Sequence, residues 1–142
     1  MPRTLGQGSL FERLDPDLAP RRLRTSQDLA AERIQAIKRH LECVLNARQG
    51  CSSSSPELGL PDFNDVAVGS ADLRHRLGEH IHAVVSEFEP RVKVTRVQPL
   101  TDAMRPMDLH FRLHCLVPVR NAHESIELDL VLQHHNRIAR FT

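Results

Sequence analysis

The side chains able to do chemistry in this 142-residue chain are nine histidines, eighteen carboxylates, three cysteines and scattered serines, so spacing decides what they can do together. His110 and His114 share one face of a predicted strand, but four steps of about 3.3 Å put them about 13 Å apart, too far to hold one ion. His80 and His82 diverge on a predicted helix, and His134 and His135 are neighbours without a cysteine or carboxylate constellation at a ligand spacing. No metal centre and no cofactor are expected. Ser70 and the serines at 52–55 sit in no GxSxG elbow and read as cap and loop residues. Glu57, Glu79, Glu87 and Glu89 could supply the acid and base of a glycan hydrolase, yet nothing selects a pair, and no catalytic residue is assigned. For a nucleotide, neither a GxGxxG nor a GxxxxGK[ST] arrangement is present.

One short word stands apart. In Glu89-Pro90-Arg91 a helix hands over to a strand, and Pro90 fixes φ there, so a carboxylate and a guanidinium flank a rigid corner. Two readings are open. Arg91 is either presented bidentate to a partner's carboxylate or helix-end carbonyls, or it forms an internal salt bridge that clips helix to sheet.

Composition narrows the classes further. Nineteen Lys and Arg against eighteen Asp and Glu leave a formal charge of +1, and there is no Trp, no Tyr and only five Phe. General nucleic-acid binding loses its charge argument, and stacking platforms for bases or sugars are nearly absent. A nucleic-acid reading would have to rest on Arg21, Arg22, Arg24 and the face carrying Arg112. Cys43, Cys51 and Cys115 are odd in number and form no CxxC, as expected of free thiols in a reducing cytosol; Cys115 reads as a small core residue. Charges and prolines occupy the start where a signal peptide would need an apolar run, and no stretch of 18 apolar residues occurs, so the expected place is the cytoplasm without membrane insertion.

The elements that must position these groups follow from periodicity. Residues 1–24 read as an arm in which Leu10, Phe11 and Leu14 share one side of a short helical turn, and one turn must pack on its own domain or on a partner. Residues 25–142 read as a single α+β domain: two main amphipathic helices packed on a small, largely antiparallel C-terminal sheet. The first helix spans 26–48, capped by Thr25 with Asp28, with a stripe of Ile34, Ile37, Leu41, Val44 and Leu45. Gly50 to Pro56 ends it in a serine-rich loop, and Glu57 to Phe63 reads as an ordered loop. After Gly69 and Ser70, a second helix of about 18 residues carries Leu73, Leu77, Ile81, Val84, Val85 and Phe88. The period then falls to two. Strands are expected at 92–97, 109–117 and 124–133, with a further short one ending at Ile138 to Phe141. Arg96 breaks the first alternation, so either that strand reaches the domain edge there or a bulge resets it, and Pro99 is expected to begin a turn.

Four words in this order resemble a known family: Ser9-Leu10-Phe11-Glu12-Arg13-Leu14, Leu45-Asn46-Ala47-Arg48, Gly59-Leu60-Pro61-Asp62-Phe63 and Phe88-Glu89-Pro90-Arg91. The chain is similar, over residues 9 to about 133, to the TssE family of type VI secretion baseplate subunits, related to the small wedge protein of contractile-tailed phages. The resemblance implies a structural adaptor in a baseplate docked at the inner membrane complex. Its sheet, at 92–97, 109–117 and 124–133, would be the platform for the first sheath ring of TssB and TssC. Glu89, Pro90 and Arg91 would dock on the wedge core of TssF and TssG, with TssK in the wider wedge. Leu10, Phe11, Glu12, Arg13, Leu14, Gly59, Leu60, Pro61 and Asp62 are further family positions expected to bind protein. Leu58 stands where relatives often have Tyr, which removes a hydroxyl contact but keeps an apolar anchor. Some members carry a lysozyme-related label, for which these residues offer no catalytic support.

Overall fold

The computed structural model describes residues 26–61, 71–119, 122–133 and 138–142. Helix α1 is Ser26–Asn46 and helix α2 is Ala71–Phe88. The proposed cap at Thr25 and the start signal at Gly69 and Ser70 lie outside the described residues. In α1 the expected stripe is buried at Ile37, Leu41, Val44 and Leu45, joined by Ala36, while Ile34 is half-buried. Two compact units divide after His40, inside this helix, and Leu41–Thr142 forms the larger.

In that unit α2 buries Leu73, Leu77, Ile81, Val84 and Val85, the spacing of three and four that places one stripe along one side. Phe88, at the end of the stripe, is half-buried. The four strands are β1 (Lys93–Leu100), β2 (Leu109–Val119), β3 (Ala122–Leu132) and β4 (Ala139–Phe141), ordered β1-β2-β3-β4 with each neighbouring pair antiparallel. The architecture is α+β, two helices and a four-stranded antiparallel C-terminal sheet. Alternation along β2 buries Leu109, Phe111, Leu113, Cys115 and Val117, and β3 adds Leu128, Leu130 and Leu132 to the same face. Helix α2 packs over it, with Gly78 facing Phe111 and Val97. Each fully buried side chain of this size contributes roughly 1.5–3 kcal/mol. Burial also pushes the Cys115 thiol up to about 11, which keeps it neutral and unreactive.

The first strand departs from expectation in a way that geometry explains. The register shifts between Val94 and Arg96, so a bulge at Thr95 resets the alternation, and the Thr95 hydroxyl donates to the His114 carbonyl at 3.0 Å. Pro99 does not begin a turn; it lies inside β1 opposite Phe111, and the strand continues to Leu100. Odd residues of β2 turn their backbone groups toward β3, so its even residues face β1, and a β1 residue opposite an odd one turns its nitrogen outward. Position 99 is of that kind, and no ladder bond is lost to proline there. The β2–β3 hairpin is longer than expected. Its ladder runs unbroken to Val119 opposite Ala122 instead of ending near 117 and 124.

Candidate functional site

At the helix-to-strand corner, α2 makes its last bond from the Glu89 amide to the Val85 carbonyl at 3.0 Å, and Pro90 prevents another turn. The Val92 amide reaches back to the Glu89 carbonyl at 3.4 Å, closing a tight turn with Pro90 at its second position. Glu89 is 0% exposed. Its Oε1 accepts from Arg91 Nε at 2.8 Å and from the Arg91 amide at 3.1 Å, while Oε2 accepts from Arg91 Nη2 at 2.8 Å. Of the two open readings, the geometry shows the internal clip: a bidentate fork inside one chain. Glu89 faces inward and fixes the guanidinium from behind, whereas Pro90 is exposed and the Arg91 side chain is 26% exposed.

The second cluster forms where two of the sequence words meet. After α1 the Ala47 amide still donates to the Cys43 carbonyl at 3.1 Å, and Arg48 bridges Leu60 in parallel. Between them the Gly50 amide reaches the Pro56 carbonyl at 3.2 Å and the Leu58 amide the Ser55 carbonyl at 3.1 Å. Gly59, at φ 94°, lies so close beneath Ala47 that a β-carbon there would overlap the Ala47 carbonyl. Only glycine meets both demands. The Leu45-Asn46-Ala47-Arg48 and Gly59-Leu60-Pro61 words are thus two sides of one loop closure, with Gly59 buried and Leu60 and Pro61 half-buried. Leu10, Phe11, Glu12, Arg13, Leu14 and Asp62 lie outside the described residues.

Sequence reasoning missed the contacts that close the β4 border. Asn46 at the end of α1 donates from Nδ2 to the Ala139 carbonyl at 3.0 Å and accepts at Oδ1 from the Ala139 amide at 2.7 Å. Glu42, one turn earlier, accepts from the Phe141 amide at 2.9 Å. A carboxamide and a carboxylate therefore occupy the outward backbone groups that a fifth strand would use. The only sequence signal was two polar residues one helical turn apart beside an apolar stripe, which many solvated faces share. Also unread was the loop after β1, where Met104 is 89% exposed and its amide donates to Asp102 Oδ1 at 2.8 Å.

On the sheet face away from α2, Arg112 lies directly opposite Asp129 and makes a second fork, Nε to Oδ1 at 2.7 Å and Nη2 to Oδ2 at 3.1 Å. The hydrogen bond and the charge of Asp129 hold the guanidinium above its usual range. Glu127 stands 3.8 Å from the same Nε and 3.4 Å from His114 Nδ1. Among the described residues no group of three His, Cys, Asp or Glu is placed to hold a metal. The shallow groove between α2 and β1 is lined by Arg74, His75, Gly78, Glu79, His82, Val97 and Pro99, so it offers one carboxylate where glycan hydrolysis uses two. No described helix is long and apolar enough to cross a membrane.

No curated protein matches the chain. Solved structures share the fold, among them the following two. One is a candidate tail lysozyme from Geobacter sulfurreducens, with TM-score 0.53 and 14% identity, covering 82% of this chain and 99% of its own. The other is the baseplate complex from the type VI secretion system, with TM-score 0.52 and 22% identity, covering 70% of this chain and 93% of that one. Residues 31–122 match the family described as baseplate wedge protein gp25, a span that takes in the α1 stripe, the loop closed by Gly59, the Glu89–Arg91 corner and the first two strands. The chain belongs to this gp25 or TssE-like baseplate wedge family.

Proposed function

We propose that the chain is a non-enzymatic adaptor of a type VI secretion baseplate that joins the wedge core to the contractile sheath and templates the sheath's first ring. The observation that carries the reading is the sheet itself, which ends in a strand border that another chain can extend, in a protein of a baseplate wedge family. Its work is geometric: a corner held against one partner fixes where the sheet is offered to the next. In this reading TssF and TssG meet Pro90 and the exposed part of Arg91, with TssK in the wider wedge. Glu89 contributes by holding the guanidinium in one orientation, which lowers the ordering cost of docking. Leu60, Pro61 and Asp62, with Leu10, Phe11, Glu12, Arg13 and Leu14, complete the wedge-facing set, while Gly59 shapes their loop from below. TssB and TssC meet the sheet. The site of action is the cytoplasmic face of the inner membrane complex.

Co-purification of the full chain with TssF and TssG, and separately with TssB and TssC, tests this directly. The expected result is a stable complex with the first pair and sheath nucleation with the second. A chain that joins neither pair, or that releases reducing ends from peptidoglycan in a carboxylate-dependent way, would overturn it.

A further inference from the structure

Residues 101–108, the loop between β1 and β2, hold two side chains that a domain working alone would bury. Among the described residues, the large apolar side chains left exposed are Met104 and Met107, at 89% and 54%. They belong to an unbroken exposed run, Ala103-Met104-Arg105-Pro106-Met107, between the half-buried Asp102 and Asp108. Such a run marks a surface that another molecule covers.

The run is held in shape by its own backbone. Asp102 Oδ1 accepts from the Met104 amide at 2.8 Å, the Asp102 carbonyl accepts from the Arg105 amide at 3.3 Å, and the Arg105 carbonyl accepts from the Asp108 amide at 3.2 Å, so two turns follow one another. Asp102 Oδ2 stands 3.7 Å from His110 Nε2, which sets the loop against β2. The methionines are thus displayed on an ordered support, and much of the backbone ordering that docking requires is already in place.

Resting on the adaptor reading, we infer that this loop is a docking knob: Met104 and Met107 enter an apolar pocket on the sheath proteins, and Arg105 pairs with a carboxylate at its rim. An unbranched thioether fills an irregular pocket well, and Met and Arg are both enriched where proteins meet. Arg105 is the one charged residue of the exposed run, and among the described residues no carboxylate pairs with it, so the complementary surface is acidic. Position selects the sheath side. Lys93 follows the corner and Leu100 precedes the loop, so the length of β1, about 20 Å, separates the two, and a partner seated on Pro90 and Arg91 leaves the loop to another. A second copy fits poorly, because the shallow groove between α2 and β1 carries Arg74, His75 and His82 against one carboxylate, Glu79, which already stands 3.4 Å from His75. A lipid surface fits poorly too, since one cation without aromatic residues gives little hold on it.

Oxidation by dilute hydrogen peroxide, read residue by residue by mass spectrometry on the full chain, is the measurement; each thioether sulfur takes one oxygen atom from the peroxide and leaves water. Met104 and Met107 should oxidise readily in the free chain, about fivefold more slowly with TssB and TssC, and at an unchanged rate with TssF and TssG. Met104→Ala with Met107→Ala should weaken sheath binding about tenfold or more, whereas the two leucine substitutions should largely keep it. Arg105→Glu should weaken it about tenfold and Arg105→Lys much less. Sheath binding that leaves both oxidation rates and the double alanine variant unaffected overturns the knob and leaves the adaptor reading intact. Protection by TssF and TssG instead overturns the assigned side. Protection by anionic lipid vesicles, or by concentration-dependent self-association, overturns the choice of occupant. If sheath protein does not bind the unaltered chain at all, the adaptor reading fails and the knob with it.

Discussion

The corner at Glu89-Pro90-Arg91 and the hairpin end at Ala122–Leu128 are opposites. At the corner the Glu89 carboxylate accepts three hydrogen bonds from Arg91, and the group is sealed from solvent. At the hairpin end His123, Ser125 and Glu127 keep outward backbone groups with no partner among the described residues, and their side chains are exposed. The difference teaches that charge identity is a poor guide to which region meets another protein. Opposite charges two residues apart satisfy one another, whereas a plain strand with one side unpaired cannot satisfy itself. The corner therefore holds its own turn in one conformation, whereas the strand border is the region that the proposed adaptor role would offer to a partner.

The largest expected effect breaks the corner. Arg91→Ala removes the bidentate partner of a buried carboxylate, and separating such a pair costs about 3–5 kcal/mol. Chemical denaturation of the isolated chain should show that loss. Arg91→Lys should recover part of it, because a point charge keeps the attraction but not the fork. An unchanged denaturation midpoint for Arg91→Ala would mean that the fork is not what holds Glu89, and the contrast between the two regions would lose its first half.

Next in size is the closed border. Asn46→Ala leaves both the amide and the carbonyl of Ala139 without their side-chain partner, a loss of about 2 kcal/mol. Faster exchange of the Ala139 amide, with β2 amides unchanged, would show that the effect is confined to the β4 border. If β4 instead became a site of strand addition in the variant, Asn46 would be identified as the residue that closes that border.

A smaller loss, above about 1 kcal/mol, is expected for Gly59→Ala, since alanine is strained at φ 94° and its methyl overlaps the Ala47 carbonyl. Thermal melts compared with a Gly50→Ala control separate the two causes, because Gly50 also has positive φ but open space around it. Equal losses would mean that backbone strain alone is at work and that the close approach of the two sequence words adds nothing.

These sites differ in how far their residues announced them. The sheet face was legible because strict alternation from Leu109 to Val117 has only one physical reading, and all five side chains are buried. The break at Arg96 was legible as an ambiguity, which the bulge resolves. Pro99 was misread because proline ends a strand only when its nitrogen faces a neighbour, and facing is set by the register with β2, a non-local fact. Glu89 and Arg91 were found, but not the direction they point, since burial depends on how α2 and β1 meet. Asn46 and Glu42 escaped altogether: their partners lie 93 and 99 residues away, beyond any local pattern.

The smallest effect sharpens the other half of the contrast. Ser125→Pro should change the stability of the isolated chain by no more than about 1 kcal/mol, because the amide it removes faces away from β2 and the side chain is exposed. Proline at a ladder position would be far more costly, since it deletes a strand-to-strand bond and forces its ring against the neighbouring chain. The size of the loss thus reads out which side the nitrogen of residue 125 is on. A drop comparable to that of Arg91→Ala would place that amide inside the β2 ladder, reverse the parity along β3, and move the unpaired donors to Glu124 and Ile126. A small drop together with lost partner binding would separate folding from assembly at a single atom, which no substitution at the corner can do, because there the group proposed to meet the partner also holds its own turn.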